Sequence, residues 1–301
     1  MPSVSHSEAD QYNECKRKHH YGYTRSLEPV HRPLGMDFGS MGHRVLESYY
    51  KSILGLGGKN KSKQRRAHAE SVEAAREQYR VITVDEGWEQ PDTKNDLGSM
   101  LFDTYFPNEP FIKRGWKILA AEQKYMLEYD DENHLGYPFV VDVWAEDPQG
   151  KSVIVDHKFL SDFYTPFDIK HLPQIPKYIG ALRGLNHRVD YGLYNMFRTK
   201  ALKLPTINQL MRQEIDAPNG TRVARTFADQ IGMAQEIQAL KDLTPEEQDA
   251  LAWRTSNKNM CRSCYFAGIC DAELVGAPTK LLIRQEYKTR TRSGFEVTPD
   301  A

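Results

Sequence analysis

Two stretches of this sequence place charge where a strand should be apolar. SVIVDHKFL, residues 152–160, is β-branched and apolar until Asp156, His157 and Lys158 interrupt it; FVVDVWAED carries Asp142 in the same way. Burying an ionised group is costly unless it is paired or bound to a metal. Residues two apart on a strand share a face, which puts Asp156 and Lys158 together and turns His157 away. The two runs are joined by the turn sequence PQGK, so pairing them brings Asp142 and Asp156 onto one face. Two close carboxylates repel, and one protonates unless a cation intervenes. Oxygen ligands with open positions suit Mg²⁺ or Mn²⁺. The neighbouring ammonium can then orient a water or stabilise charge developing on a phosphoryl group. The alternative is an Asp–Lys pair on a solvated face; the flanking Val and Ile argue against it.

Further residues have the type and spacing to serve such a site. His43 and Glu47 stand four apart in a helical pattern and are neighbours on its surface. Gln174 and Tyr178, in QIPKY, have the same spacing and could hydrogen-bond a phosphate. Pro173 and Pro176 require that their helix begin near one of them, since proline fits only a first turn. Each pair also reads as an ordinary polar helix surface. The four cysteines form a second group: Cys261, Cys264 and Cys270 as C-x2-C-x5-C, and Cys15 near the other terminus. Zn²⁺ and [4Fe–4S] both accept four thiolates. Structural zinc more often uses paired C-x-x-C knuckles, so a lone cysteine with a compact triplet fits a cluster better, with structural Zn²⁺ as the alternative. Either would staple the two ends of the chain together.

The elements that must position these residues are readable in outline. Turn clusters separate three apolar runs, at 117–129, 137–147 and 152–160, and predict an antiparallel meander. A helix is expected over IKHLPQIPKYIGALRGL and another strand over DYGLYNMFRTKAL. DFGSMGHRVLESYYKSIL spaces Met41, Val45, Leu46, Tyr49, Tyr50 and Ile53 as one helical face. RRAHAESVEAAREQYR reads as an exposed helix, 85–108 as mostly loop, and 204–254 as helical, with Thr244, Pro245 and Glu247 marking a helix start. The whole reads as a single domain over 1–301, with a helical or loop insertion at 51–115, a helical region at 201–256, and the staple at 15 and 261–270. Of its 301 residues, 40% are apolar and 27% charged, enough for a sizeable core; the net charge of −1 does not advertise nucleic-acid binding, although KNKSKQRR, NHR and RQEYKTRTR are local basic stretches. No apolar run of about 18 residues occurs, so no membrane span is expected. The polar first twenty residues lack the core of a signal peptide, and a cytoplasmic protein is expected.

Taken in order, these motifs resemble the PD-(D/E)XK nuclease superfamily. The nearest branch is that of RecB-type nucleases with an iron–sulfur cluster, such as the AddB subunit and the CRISPR-associated exonucleases. SHSEADQYNEC is similar to their first cysteine segment, GHRVLE to the helical histidine, VVD and VDHK to the acidic strands and QIPKY to the Q-x-x-x-Y helix, with the triplet last; the match spans residues 5 to 270. The resemblance implies an α/β, restriction-endonuclease-like core: a mixed sheet flanked by helices, with helical insertions and a four-Cys cluster joining the terminal segments. It implies that His43, Asp142, Asp156 and the His157 backbone carbonyl bind metal, that Lys158 is catalytic, and that Gln174 and Tyr178 contact substrate. Glu47 would support His43, and Glu122 matches an upstream acidic strand position, with Glu128 nearby. Lys16 departs from the proline often found after the first cysteine. The expected activity is Mg²⁺- or Mn²⁺-dependent hydrolysis of DNA, from the ends of single strands, with a helicase or recombination protein as a partner. The rival is a non-catalytic DNA-binding or assembly subunit on the same fold. No G-x-x-x-x-G-K-[ST] loop is present.

Overall fold

The computed structural model describes residues 3–31, 34–54, 61–109, 115–130, 135–201, 203 and 207–290. Parts of the basic stretches KNKSKQRR and RQEYKTRTR, the middle of the DDENHLG turn and the start of the 204–254 region lie outside these residues. In chain order come α1 (His6–Glu14), α2 (Lys16–His19), β1 (Leu27–Pro29), α3 (Leu34–Ser52), α4 (Lys61–Arg80), β2 (Lys117–Asp130), β3 (Leu135–Glu146) and β4 (Ser152–Leu160). Then follow α5 (Pro166–His171), α6 (Gln174–Gly184), β5 (Tyr191–Arg198), β6 (Met211–Asp216), α7 (Gly220–Lys241), α8 (Pro245–Leu251), α9 (Lys258–Arg262), α10 (Ala267–Leu274), α11 (Lys280–Glu286) and β7 (Tyr287–Thr289). The chain divides into two compact units. A cysteine unit draws on Met1–Pro33, Met126–Phe139 and Phe227–Val297, and a sheet unit on Leu34–Tyr125 and Val140–Thr226.

The sheet unit is the α/β core. Its strands lie in the order β2-β3-β4-β5-β6. β3 and β4 pair antiparallel with Val143 opposite Val155, as the PQGK turn dictates. β5 runs parallel to β4, with Asp156 opposite Tyr194 and Lys158 opposite Met196. A parallel return needs a crossover, which α5 and α6 supply. Val153 and Val155 bury on the face that packs Val45, Leu46, Tyr49, Tyr50 and Ile53 of α3, the helical face expected from the sequence. In α4, Ala67, Ser71 and Ala75 are buried; small residues four apart let α4 lie close against a neighbour, so this helix is not simply exposed.

Three expectations are corrected. The single helix expected over 169–185 is two, because Pro173 caps α6 instead of continuing α5. Pro176 then falls in the first turn of α6, where no N–H is needed. The 85–108 stretch is not mostly loop: helical turns at Ser99–Tyr105 and Phe106–Asn108 bury Met100, Leu101, Tyr105 and Phe106 in the core. The region read as helical over 201–256 contains β6, which pairs antiparallel with β5. Its pattern is inverted for a strand: Ile215 is exposed while Asp216 is buried against Arg222.

In the cysteine unit, Ser5 caps α1 as its hydroxyl accepts from the Glu8 N–H at 3.2 Å. Val4, Ala9 and Tyr12 pack with Ala234 and Ile237 of α7. β1 pairs with β7, Leu27 opposite Thr289, joining early and late segments. Beside this ribbon, Tyr21, Phe266, Ile269 and Tyr287 form a small core. Thr244 and Glu247 form a reciprocal capping box at the start of α8. Among the described residues, no helix is long and apolar enough to cross a membrane.

Candidate active site

Two glycines let the helices of the sheet unit approach the strands that carry the acidic residues. A Cβ at Gly42 of α3 would lie 2.1 Å from the Phe159 ring, so only glycine permits that approach. It sets His43 over the end of β4, with its ring 5.7 Å from that of Phe159. On the other face, a Cβ at Gly192 of β5 would lie 2.4 Å from Ile175. That contact seats the first turn of α6, where Gln174 and Tyr178 stand.

Toward this end of the β3–β4 pairing, Val143 stands opposite Val155. One step beyond on β3, the Asp142 carboxylate accepts the His157 backbone N–H at 2.7 Å. His43 Nδ1 stands 3.6 Å from the same Asp142 oxygen and 3.7 Å from Glu122 Oε1. His43, Glu122 and Asp142 each offer one ligand atom, and these atoms all lie within 4.8 Å of one another. Asp156 is nearly buried, and both its oxygens lie near Lys158 Nζ, at 3.0 and 2.8 Å. Lys158 also donates to Gln174 Oε1 at 2.6 Å, and Gln174 Nε2 donates to the Tyr178 hydroxyl at 3.1 Å.

The electrostatics follow from burial and sign. Burial disfavours a charged His43, but Asp142 and Glu122 outweigh it and raise its pKa to about 9. Burial raises Asp142, with the His43 charge opposing. It also raises Asp156, to about 6, against the pull of Lys158. Lys158 is itself disfavoured by burial, yet Asp156 and Asp142 hold it above its ordinary value, as an ammonium. A proton on His43 thus offsets the carboxylates, in the place where a divalent cation would relieve the same repulsion.

The superfamily description PD-(D/E)XK nuclease matches the chain over residues 3–271. This protein belongs to the PD-(D/E)XK nuclease superfamily. It is a metal-dependent nuclease, and its mixed five-stranded sheet flanked by helices is consistent with the restriction-endonuclease-like fold. No curated protein sequence matches it. Among solved structures it is similar to the crystal structure of SSO0001, at 12% identity and a TM-score of 0.33, over 78% of this chain and 97% of that one.

Within this nuclease, the residues named from sequence divide. His43 and Asp142 come together with Glu122. Asp156, Lys158, Gln174 and Tyr178 form a connected chain of hydrogen bonds beside them. Glu47 does not join either group: one turn beyond His43, it accepts from Lys51 at 2.5 Å on the surface of α3. The His157 ring faces away from Asp156, as alternation requires. Burial drives its pKa well down, Asn195 contacts its Nδ1 at 3.0 Å, and it stacks on Tyr50. Glu122 reaches the site through a break in β2. Its φ is +48°, rare for a non-glycine residue, and Ala120 and Ala121 before it are both buried. Such a break in alternation re-aims a side chain, in the way bulges beside active sites do.

The four cysteines lie in the other unit. Cys15, Cys261, Cys264 and Cys270 line one pocket of about 640 Å³. Arg254 Nε donates to Cys270 Sγ at 3.0 Å, and the Thr255 N–H to Cys15 Sγ at 3.4 Å. Burial pushes the Cys264 thiol up.

Proposed function

We propose that this chain is a DNA nuclease that uses Mg²⁺ or Mn²⁺ to shorten single strands from an end, with a [4Fe–4S] cluster holding its cysteine unit. The convergence of His43, Glu122 and Asp142 beside the Lys158–Asp156 pair carries the catalytic reading. Two carboxylates and an imidazole nitrogen suit a divalent cation, with Asp156 and the His157 carbonyl as further oxygens. When bound there, the cation supplies polarisation of the scissile phosphate and a lowered pKa for the attacking water. Lys158 keeps its proton, stays fixed by Asp156 and Gln174, and presents positive charge to the oxygens on which negative charge grows. Gln174 and Tyr178 hold that ammonium in place and offer polar groups to the neighbouring phosphate. Hydrolysis in this family sense leaves a 5′-phosphate. Tyr164, within electrostatic range of Lys158 and Asp156, adds an aromatic next to the site, which supports a strand with unpaired bases.

The cysteine pocket fits a cluster by its donor chemistry. N–H groups from Arg254 and Thr255 already point at two sulfurs, as hydrogen bonds to cluster thiolates do. Structural zinc, which more often uses paired C-x-x-C knuckles, stays the second reading. A cytoplasmic enzyme fed single strands by a helicase or recombination protein follows from this function. The non-catalytic subunit reading is disfavoured by the presence together of His43, Asp142, Asp156 and Lys158.

Protein purified without oxygen, given single strands blocked at the 5′ or the 3′ end, tests the proposal. The expected result is degradation that needs Mg²⁺ or Mn²⁺ and is stopped by one of the two blocks. Equal cutting of both blocked strands and of circles would refute the end requirement. No cutting with either metal would refute the catalytic reading. A brown protein with iron and sulfide is expected; colourless protein with one zinc would replace the cluster.

A further inference from the structure

The segment between Lys158 and Gln174 displays a large aromatic that the catalytic arrangement leaves unused. α5 is short, yet it is held firmly. Thr165 and Asp168 form a reciprocal capping box at its start, and Ile169 is buried. Arg222, paired with Asp216, donates to the Ile169 and Leu172 carbonyls at 2.7 and 2.9 Å. These bonds satisfy carbonyls that a helix end leaves open. On the outer side Phe167 is 71% exposed. His171, one turn on, holds its ring 4.5 Å away. An exposed phenyl ring forgoes the stabilisation that burial would give. A rigid helix that presents it regardless is a preorganised surface, with little ordering left to pay for on binding.

Chain connectivity ties this surface to the site. Tyr164, three residues before Phe167, holds its ring 5.9 Å from that of Tyr194, which stands opposite Asp156 on β5. Gln174, three residues after His171, accepts from Lys158. Three residues span at most about 11 Å. A cationic group flanks the same segment: the Arg212 guanidinium lies 5.2 Å from the Phe163 ring, while Arg198, 4.5 Å from that ring, is paired with Asp162.

We propose that Phe167, backed by His171, stacks on an unpaired base of the strand whose phosphate lies at Lys158, with Arg212 beside that strand's backbone. The proposal rests on the reading of the protein as a nuclease of single strands and names what makes it prefer them. Every base has a π face, so the platform contributes affinity without sequence preference. Bases stacked inside a duplex offer no such face.

The test compares wild type with Phe167→Ala and Phe167→Trp, using fluorescent mixed-sequence single strands and anisotropy in EDTA, and measures cleavage separately in Mn²⁺. Phe167→Ala is expected to weaken binding roughly 5- to 100-fold. KM should rise to match and kcat should stay within about twofold, while Phe167→Trp keeps wild-type affinity. An abasic gap stepped along the strand should weaken wild type at one position and leave Phe167→Ala indifferent there, a signature no structural role would give. Because the ring is exposed, melting temperatures should be equal. Equal affinities of wild type and Phe167→Ala, or identical abasic scans, overturn the proposal while the nuclease reading stands. Failure of wild type to cut single strands in Mn²⁺ overturns both.

Discussion

In the sheet unit, His43 stands 3.6 Å from Asp142, and Lys158 is clasped by Asp156 and Gln174. In the cysteine unit, four sulfurs face one pocket of about 640 Å³, and among the described residues no three of them gather within 4.8 Å. Charge explains the contrast. A site of mixed sign neutralises itself: an imidazolium stands in for the cation, and an ammonium pairs with its neighbouring acid. Neutral thiols have no attraction for one another, and thiolates repel. The proposed catalytic site is therefore assembled by the fold, whereas the proposed thiolate site closes on what it binds. Metal at the first should govern rate, and at the second, stability.

Lys158→Ala gives the largest separation. Loss of one preorganised positive donor costs about 10²–10³ in rate. Cleavage of a labelled single strand should fall by that factor. The thermal midpoint should hardly move, because Asp156, already raised to about 6 by burial, takes a proton once its ammonium is gone. A large fall in stability with modest loss of rate would mean that the pair is structural. The reverse is expected of Cys264→Ser. It should cost several kcal/mol of stability, a share of the roughly 10 kcal/mol that a structural four-ligand zinc site returns on folding. Limited proteolysis should open the segments carrying Cys15 and 251–274 first. Equal melting of this variant and wild type would erase the contrast between the two units.

Gly42→Ala asks how far the catalytic side depends on packing. The new methyl would meet the Phe159 ring at 2.1 Å. Phe159 is stacked on Phe197 with centroids 4.8 Å apart, so it cannot simply swing aside. Overpacking of this kind costs about 1–3 kcal/mol. It should also lift His43 from Asp142, weakening metal affinity in a calorimetric titration more than it weakens folding. Unchanged metal affinity would show that α3 has slack.

How legible this was in the sequence depended on which signal each residue rode. β4 was readable to its ends because SVIVDHKFL is a short, β-branched apolar run and a turn precedes it. The shared side of Asp156 and Lys158 followed from the strand period alone. The site's third carboxylate was only a loose match, because Glu122 sits at a break in alternation, and nothing in ILAAEQKYML announces a φ of +48°. β6 stayed hidden for a related reason. MRQEID is an edge strand whose polar members find polar partners, Gln213 in Asn195 and Asp216 in Arg222, so its pattern carries no apolar stripe. The helical turns at 99–108 were masked by the Gly, Pro and Asp around them, though their buried Met, Leu, Tyr and Phe are what the core required. The cysteines were legible as a group but not as a geometry, since spacing says which thiols can meet and not how near they stand without a ligand.

The smallest effect is expected at Glu47, and it tests the comparison from within one helix. Spacing of four residues joins Glu47 to His43 on one side and to Lys51 on the other, and sequence cannot choose between them. The structure does: Glu47 accepts from Lys51, on the exposed flank. An ion pair of this kind is worth about 0.3–0.5 kcal/mol. Glu47→Gln should therefore leave cleavage within about twofold and stability within that margin. Glu122→Gln, which removes a carboxylate from the three-residue cluster, should weaken Mn²⁺ binding by at least the 10–100-fold typical of groups that merely support a ligand. If instead Glu47→Gln matched Glu122→Gln in metal affinity, α3 would have to turn on binding. The site could then no longer be called assembled in advance, and it would stand closer to the cysteine pocket than to its own resting geometry.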